Sequence, residues 1–138
     1  VIMGTESKAE FLTRNLEGFQ TLMYISEHVA EEETVYLVGD SRRYYCPMQC
    51  DPEPDQFGWA RLTAGGDAPI DRVTEQLARR GVTYLLVSHL DMAYLARHDP
   101  TGTIRRSYDL ILNDLRPKCL EPVFSEEQFD LFRITCNQ

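Results

Sequence analysis

Two stretches of this chain end in residues able to do chemistry. The apolar run Thr34–Val38 leads into Gly39-Asp40-Ser41-Arg42-Arg43, and the run Val82–Val87 leads into Ser88-His89-Leu90-Asp91. An imidazole backed by a carboxylate can take a proton from a facing hydroxyl and make that oxygen a nucleophile. If the two runs are parallel neighbours in a sheet, their ends share one rim, where loops leaving adjacent strands open a crevice. Asp40, Ser41, His89 and Asp91 then compose a hydrolase-like candidate site. The same residues have a plainer use: Asp and Ser beside a turn or a helix start accept hydrogen bonds from free backbone N–H groups. Gly39-Asp40-Ser41 also lacks the Gly-x-Ser-x-Gly pattern of a strand-to-helix nucleophile turn. Arg42 and Arg43, with Tyr45 close behind, are ligand-binding candidates for a phosphate or carboxylate; pairing with the acidic excess of the surface is the simpler role for both arginines.

The cysteines stand at 46, 50, 119 and 136. Cys46-Pro47-Met48-Gln49-Cys50 has three intervening residues, not the two of a thiol redox motif or a common zinc knuckle, and four cysteines allow three pairings. A hairpin centred near Glu127-Gln128 would set Cys119 opposite Cys136 at bridging distance. A Cys46–Cys50 bridge, a four-cysteine zinc site and free buried thiols stay open beside it. His28, His89 and His98 form no His-x-x-x-His pair, and Glu53 with Asp55 is a common solvated arrangement, so no catalytic metal is expected, and none is assigned as a site. No cofactor is expected either, because the chain has neither a Gly-x-Gly-x-x-Gly turn nor a lysine-bearing phosphate loop.

Composition narrows the partners. The formal charge is −8, from 22 acidic against 14 basic side chains. Such a field repels phosphate backbones, and the doublets Arg42-Arg43, Arg79-Arg80 and Arg105-Arg106 are isolated and not interleaved with aromatic residues, so nucleic acid is not an expected partner. No run approaches the roughly 20 apolar residues that span hydrocarbon. The start, Val1 to Ser7, has no apolar core of a signal peptide. The chain is expected to be one domain, 1–138, and a piece of a larger polypeptide.

The elements that must position these residues follow from periodicity. Phe11, Leu12, Leu16, Phe19, Leu22, Met23, Ile25 and Val29 predict helix between Glu6 and Glu33, re-aimed near Gly18, with Phe19, Leu22, Met23 and Val29 inward. Thr34–Val38 reads as a central strand. Pro47, Pro52 and Pro54 deny a regular element across Met48–Gln56, and Phe57, Trp59 and Leu62 read as cover for the core. Ile70, Val73 and Leu77 predict a helix closed by Arg79-Arg80-Gly81, followed at once by the strand Val82–Ser88. A short helix is expected over Asp91–His98 and another over Thr103–Leu115, stopped by Pro117. Leu120–Phe124 and Phe129–Thr135 read as the two strands of a hairpin, the second edge-ward because its pattern is mixed. Helix followed by a continuous apolar strand is the rhythm of strands covered on both faces. The expected fold is therefore α/β, a Rossmann-like mixed sheet with a parallel core, flanking helices and a C-terminal antiparallel hairpin.

Three segments carry a family resemblance: Thr34–Asp40 followed by Tyr44-Tyr45, Leu77–Val87, and Phe129–Ile134. In that order they resemble the extracytoplasmic C-terminal domain of bacterial polytopic membrane glycosyltransferases related to protein O-mannosyltransferases and aminoarabinose transferases. The likeness spans roughly residues 17–135. It implies a glycosyltransferase-like membrane protein whose catalytic aspartate lies in a part absent from this chain. This domain would then be a non-catalytic accessory or recognition domain on the extracytoplasmic face, its partner being the membrane-embedded remainder of the same polypeptide. The same placement lets disulfides persist. The Cys-x-x-x-Cys insert and the proline-rich loop depart from the family pattern. A small hydrolase-like enzyme using the Asp40/His89 rim, and a protein interaction module burying Trp59 and nearby aromatics, are the alternatives.

Overall fold

The computed structural model describes residues 19–39, 49–51 and 57–136, and within them the two apolar runs are adjacent parallel strands. β1 (Thr34–Val38) sets Tyr36 and Leu37 opposite Leu85 and Leu86, two strands further along the chain; the short β2 (Cys50–Asp51) pairs parallel on its outer side, contrary to the expectation of no regular element across Met48–Gln56, because the two residues ahead of Pro52 suffice to pair with Val35 and Tyr36. β3 (Val82–Ser88) pairs on its other side with the last strand of the chain, antiparallel. The hairpin of β4 (Leu120–Ser125) and β5 (Phe129–Ile134) completes the sheet, whose order among the described residues is β2-β1-β3-β5-β4.

Side-chain alternation explains why β1 and β3 read as unbroken apolar runs. Tyr36, Val38, Leu85 and Val87 face one way, Val35, Leu37, Tyr84 and Leu86 the other, and all are buried. Both faces are covered, so water leaves no polar stripe in the sequence. One face receives α1 (Phe19–His28), which lays down Leu22, Ile25 and, just past its end, Val29. Met23 is 38% exposed, contrary to the expected packing. It stands about 100° around the helix from Leu22, off the narrow stripe that a single covering helix buries.

The opposite face receives every other helix among the described residues. α2 (Gly58–Leu62) buries Trp59, whose Nε1–H donates to the Ser107 carbonyl at 2.8 Å, while Phe57 just before it is 45% exposed and not a core cover. α3 (Ile70–Arg79) buries Val73 and Leu77 and ends at Gly81, whose φ of +73° takes the left-handed conformation that closes helices. α4 (His89–Arg97) buries Met92 and Leu95. α5 (Thr103–Asp109) does not stop before Pro117. It runs through a π turn, Leu110–Leu115, into α6 (Arg116–Cys119). A proline inside a helix lacks an N–H and crowds the carbonyl one turn back; a widened turn ahead of it relieves both.

The hairpin corrects one further expectation. β5 lies inside the sheet, between β3 and β4, and its mixed pattern has another cause: Arg133 is exposed beside the edge, while Asp130 is drawn into the rim described next. The edge belongs to β4, where Glu121 and Pro122 are exposed, a charge and a residue without N–H that suit an unpaired strand.

Candidate functional site

Because β1 and β3 are parallel neighbours, Gly39 and His89 leave the sheet on the same rim. Gly39 has φ +86°, and a Cβ built there would stand 2.9 Å from Met92 Cγ, so the chain can leave β1 this close to α4 only as glycine. Asp40, Ser41, Arg42, Arg43, Tyr45 and Cys46, like Glu53 and Asp55, lie outside the described residues.

Ser88 and Asp91 serve the helix that begins beside them. The Ser88 Oγ accepts from the Asp91 backbone N–H at 3.4 Å and donates its own proton to Asp91 Oδ2 at 2.9 Å. Ser-x-x-Asp is here a capping pair that opens α4, with the acidic residue also favoured by the helix dipole. Asp91 thus turns back on Ser88, and the carboxylate against the His89 ring is a different one.

That carboxylate is Asp130, from β5. His89 Nε2 lies 2.6 Å from Asp130 Oδ2, and His89 Nδ1 lies 2.5 Å from the Tyr108 hydroxyl of α5. An ionised carboxylate only accepts, so Nε2 carries the proton; Nδ1 of the neutral ring is then a bare lone pair, and the Tyr108 O–H donates to it. The second Asp130 oxygen accepts from Ser125 Oγ at 2.5 Å. The His89 backbone N–H donates to the Gln128 carbonyl at 2.9 Å, which ties the start of α4 to the hairpin turn. His89 and Asp130 side chains are 26% and 25% exposed, so the chain Ser125, Asp130, His89, Tyr108 is reachable from solvent yet partly shielded. Burial first, then the charges of Asp130 and Asp109, push the Tyr108 phenol above its ordinary range, with Arg105 opposing. The phenol is held neutral.

Sequence reasoning found His89 and missed its partners. Asp130 had a signal: it shares a strand face with Phe132 and Ile134, and a carboxylate on an otherwise apolar face calls for a polar partner. Tyr108 had a weaker one, since a tyrosine on an inward helix face needs a place for its hydroxyl. Neither signal says that both meet one imidazole.

Other features surround the rim. Glu126, in the hairpin turn, accepts from the Thr21 backbone N–H at 2.7 Å and from Thr21 Oγ1, and so fastens α1 from the far side of the sheet. Cys119 and Cys136 are joined by a disulfide with Cα atoms 4.7 Å apart; Cys50 is disulfide-bonded as well. An apolar hollow of about 440 Å³ opens where Phe57 and Ala60 face Leu95 and Ile104, at the end of α4 remote from His89. Among the described residues no group of three or more His, Cys, Asp or Glu side chains is placed to hold a metal ion, and no helix is long and apolar enough to cross a membrane. No family model, curated protein or solved structure matches the chain.

Proposed function

We propose that this chain is the accessory or recognition domain of a glycosyltransferase-like membrane protein, held on the extracytoplasmic face and taking no part in glycosyl transfer itself. The observation that carries the reading is the Cys119–Cys136 bridge, since a disulfide that fastens a structural hairpin persists in an oxidising compartment and not in a reducing one. The Rossmann-like reading of the layers draws its support from the parallel trio β2-β1-β3 with helices on both faces. The hollow at the end of α4 supports recognition over pure spacing, because concave, mostly apolar walls with a few polar groups are what small ligands bind.

The test uses the full-length gene product in intact cells. Alkylation with a membrane-impermeant maleimide, before and after reduction, is expected to reveal Cys119 and Cys136 only after reductant, and external protease is expected to cut the domain from its membrane-bound remainder. Thiols that react only after lysis, or a full-length sequence with no hydrophobic spans, would overturn the reading.

A further inference from the structure

The rim holds a more specific chemistry than recognition, and it goes beyond the function just proposed. Three groups are in sequence there: a phenol whose proton points at an imidazole nitrogen, an imidazole whose other nitrogen carries its proton toward a carboxylate, and a carboxylate fixed from behind by a serine. This is the order nucleophile, base, orienting acid, with tyrosine in the first place. It is assembled from α5, α4 and β5, so its geometry is set by packing of the core and not by one loop.

We infer that Tyr108 is a base-assisted nucleophile toward activated acyl esters, with His89 as the base and Asp130 as its orienting partner. In the step, the Tyr108 oxygen forms a bond to the acyl carbon while its proton passes to His89 Nδ1. Asp130 stabilises the imidazolium that results. The ester C–O bond then breaks, the leaving alkoxide takes the proton from Nδ1, and the products are an acyl-tyrosine and an alcohol. No electrons are gained or lost. A water molecule attacking the acyl carbon with the same base returns the phenol and releases the acid. Burial first, then Asp130 and Asp109, disfavour a free phenolate, whereas Arg105 opposes them, so the reaction depends on transfer of the proton during attack and not on prior ionisation.

Tyr94 supplies an internal control. It is 54% exposed, more open than Tyr108, and the ring beside it is His98, whose Nδ1 faces the Tyr94 backbone carbonyl and not a phenol. Treating the 138-residue chain with 4-nitrophenyl acetate near neutral pH, and mapping acetylated tyrosines by peptide mass spectrometry over time, separates reactivity from exposure. Acetylation of Tyr108 is expected at least about a hundredfold faster than that of Tyr94, the low side of what general-base assistance supplies. His89→Gln is expected to remove that advantage and to leave the Tyr94 rate unchanged. Asp130→Asn, which keeps the shape of the side chain, should lower the Tyr108 rate as well. The far-UV spectrum reports whether each variant is folded. Tyr108 labelling no faster than Tyr94, or a ratio untouched by both variants, overturns the inference. A cytoplasmic location of the chain would defeat the functional proposal and leave this one standing.

Discussion

The β4–β5 hairpin is fastened at both ends, and the two fastenings differ in kind. At the open end a disulfide joins Cys119 to Cys136, with the Thr135 N–H donating to the Cys119 carbonyl at 2.8 Å beside it. At the turn end there is no covalent link; Ser125, Glu126 and Asp130 hold the turn through hydrogen bonds to each other, to Thr21 of α1 and to His89 of α4. The covalent end stabilises chiefly by removing conformations from the unfolded chain. The polar end stabilises the folded arrangement, because its bonds to Thr21 and His89 reach two helices outside the hairpin. One end is therefore open to reductant, and the other is not.

Removing the covalent end should have the largest effect. Cys136→Ser, or reduction of the intact protein, is expected to cost about 3 kcal/mol for a closed loop of this size. The sequence separation of the pair is 17. Urea unfolding should show a lower midpoint, while acetylation of Tyr108 in the folded protein stays unchanged. A simultaneous loss of the rim would mean that the two ends are one cooperative unit and the contrast is false.

The polar end should respond less, and pairwise. His89→Gln and Asp130→Asn are each expected to cost roughly 1–2 kcal/mol, the range for a hydrogen bond to a charged group that is only partly buried. The double variant should fall short of their sum by about 1 kcal/mol, since the two residues share a bond. Additive costs would place the stabilisation elsewhere than in the His89–Asp130 contact.

Alkaline titration gives the smallest effect and the sharpest sign. Burial is the largest cause raising both the Tyr84 and Tyr108 phenols, so the folded protein holds these protons more tightly than the unfolded chain does. The associated stability is fully present below about pH 10, the ordinary tyrosine value, and is lost as pH rises through the folded values. Stability measured against pH should therefore decline in that window, and Tyr108→Phe should flatten the decline, whereas replacing both Cys119 and Cys136 by serine, which leaves no thiol from the bridge to titrate, should shift the whole curve without changing its slope.

How much of this was legible in the sequence depends on whether a residue's partner is near in the chain. The strands Thr34–Val38 and Val82–Ser88 and the closure of α3 at Gly81 are local patterns, and the structure places them where the pattern puts them. The hairpin turn, where Glu126 N–H donates to the Phe129 carbonyl, is equally local. The path of the chain through Pro117 is not, because it depends on what the π turn packs against. Trp59 reads as buried on composition alone, but its neighbour Phe57 stays half-exposed for reasons of helix phase that no short window contains. The rim is the extreme case: Asp130 lies 41 positions from His89 and Tyr108 lies 19, and only the sheet order brings them to one imidazole.

The π turn at Leu110–Leu115 has a consequence for the two fastenings together. A turn closed by i→i+5 bonds accommodates one more residue than an α turn, and one residue corresponds to about 100° of rotation for everything downstream. Tyr108 lies upstream of that insertion and Cys119 downstream, so the widened turn acts as an angular offset between them. The distance between the two ends of the hairpin is covered by the rise along the helix, while the offset sets which side of it each residue faces: Tyr108 toward His89 at the strand-end rim, Cys119 toward Cys136 at the open end of the hairpin.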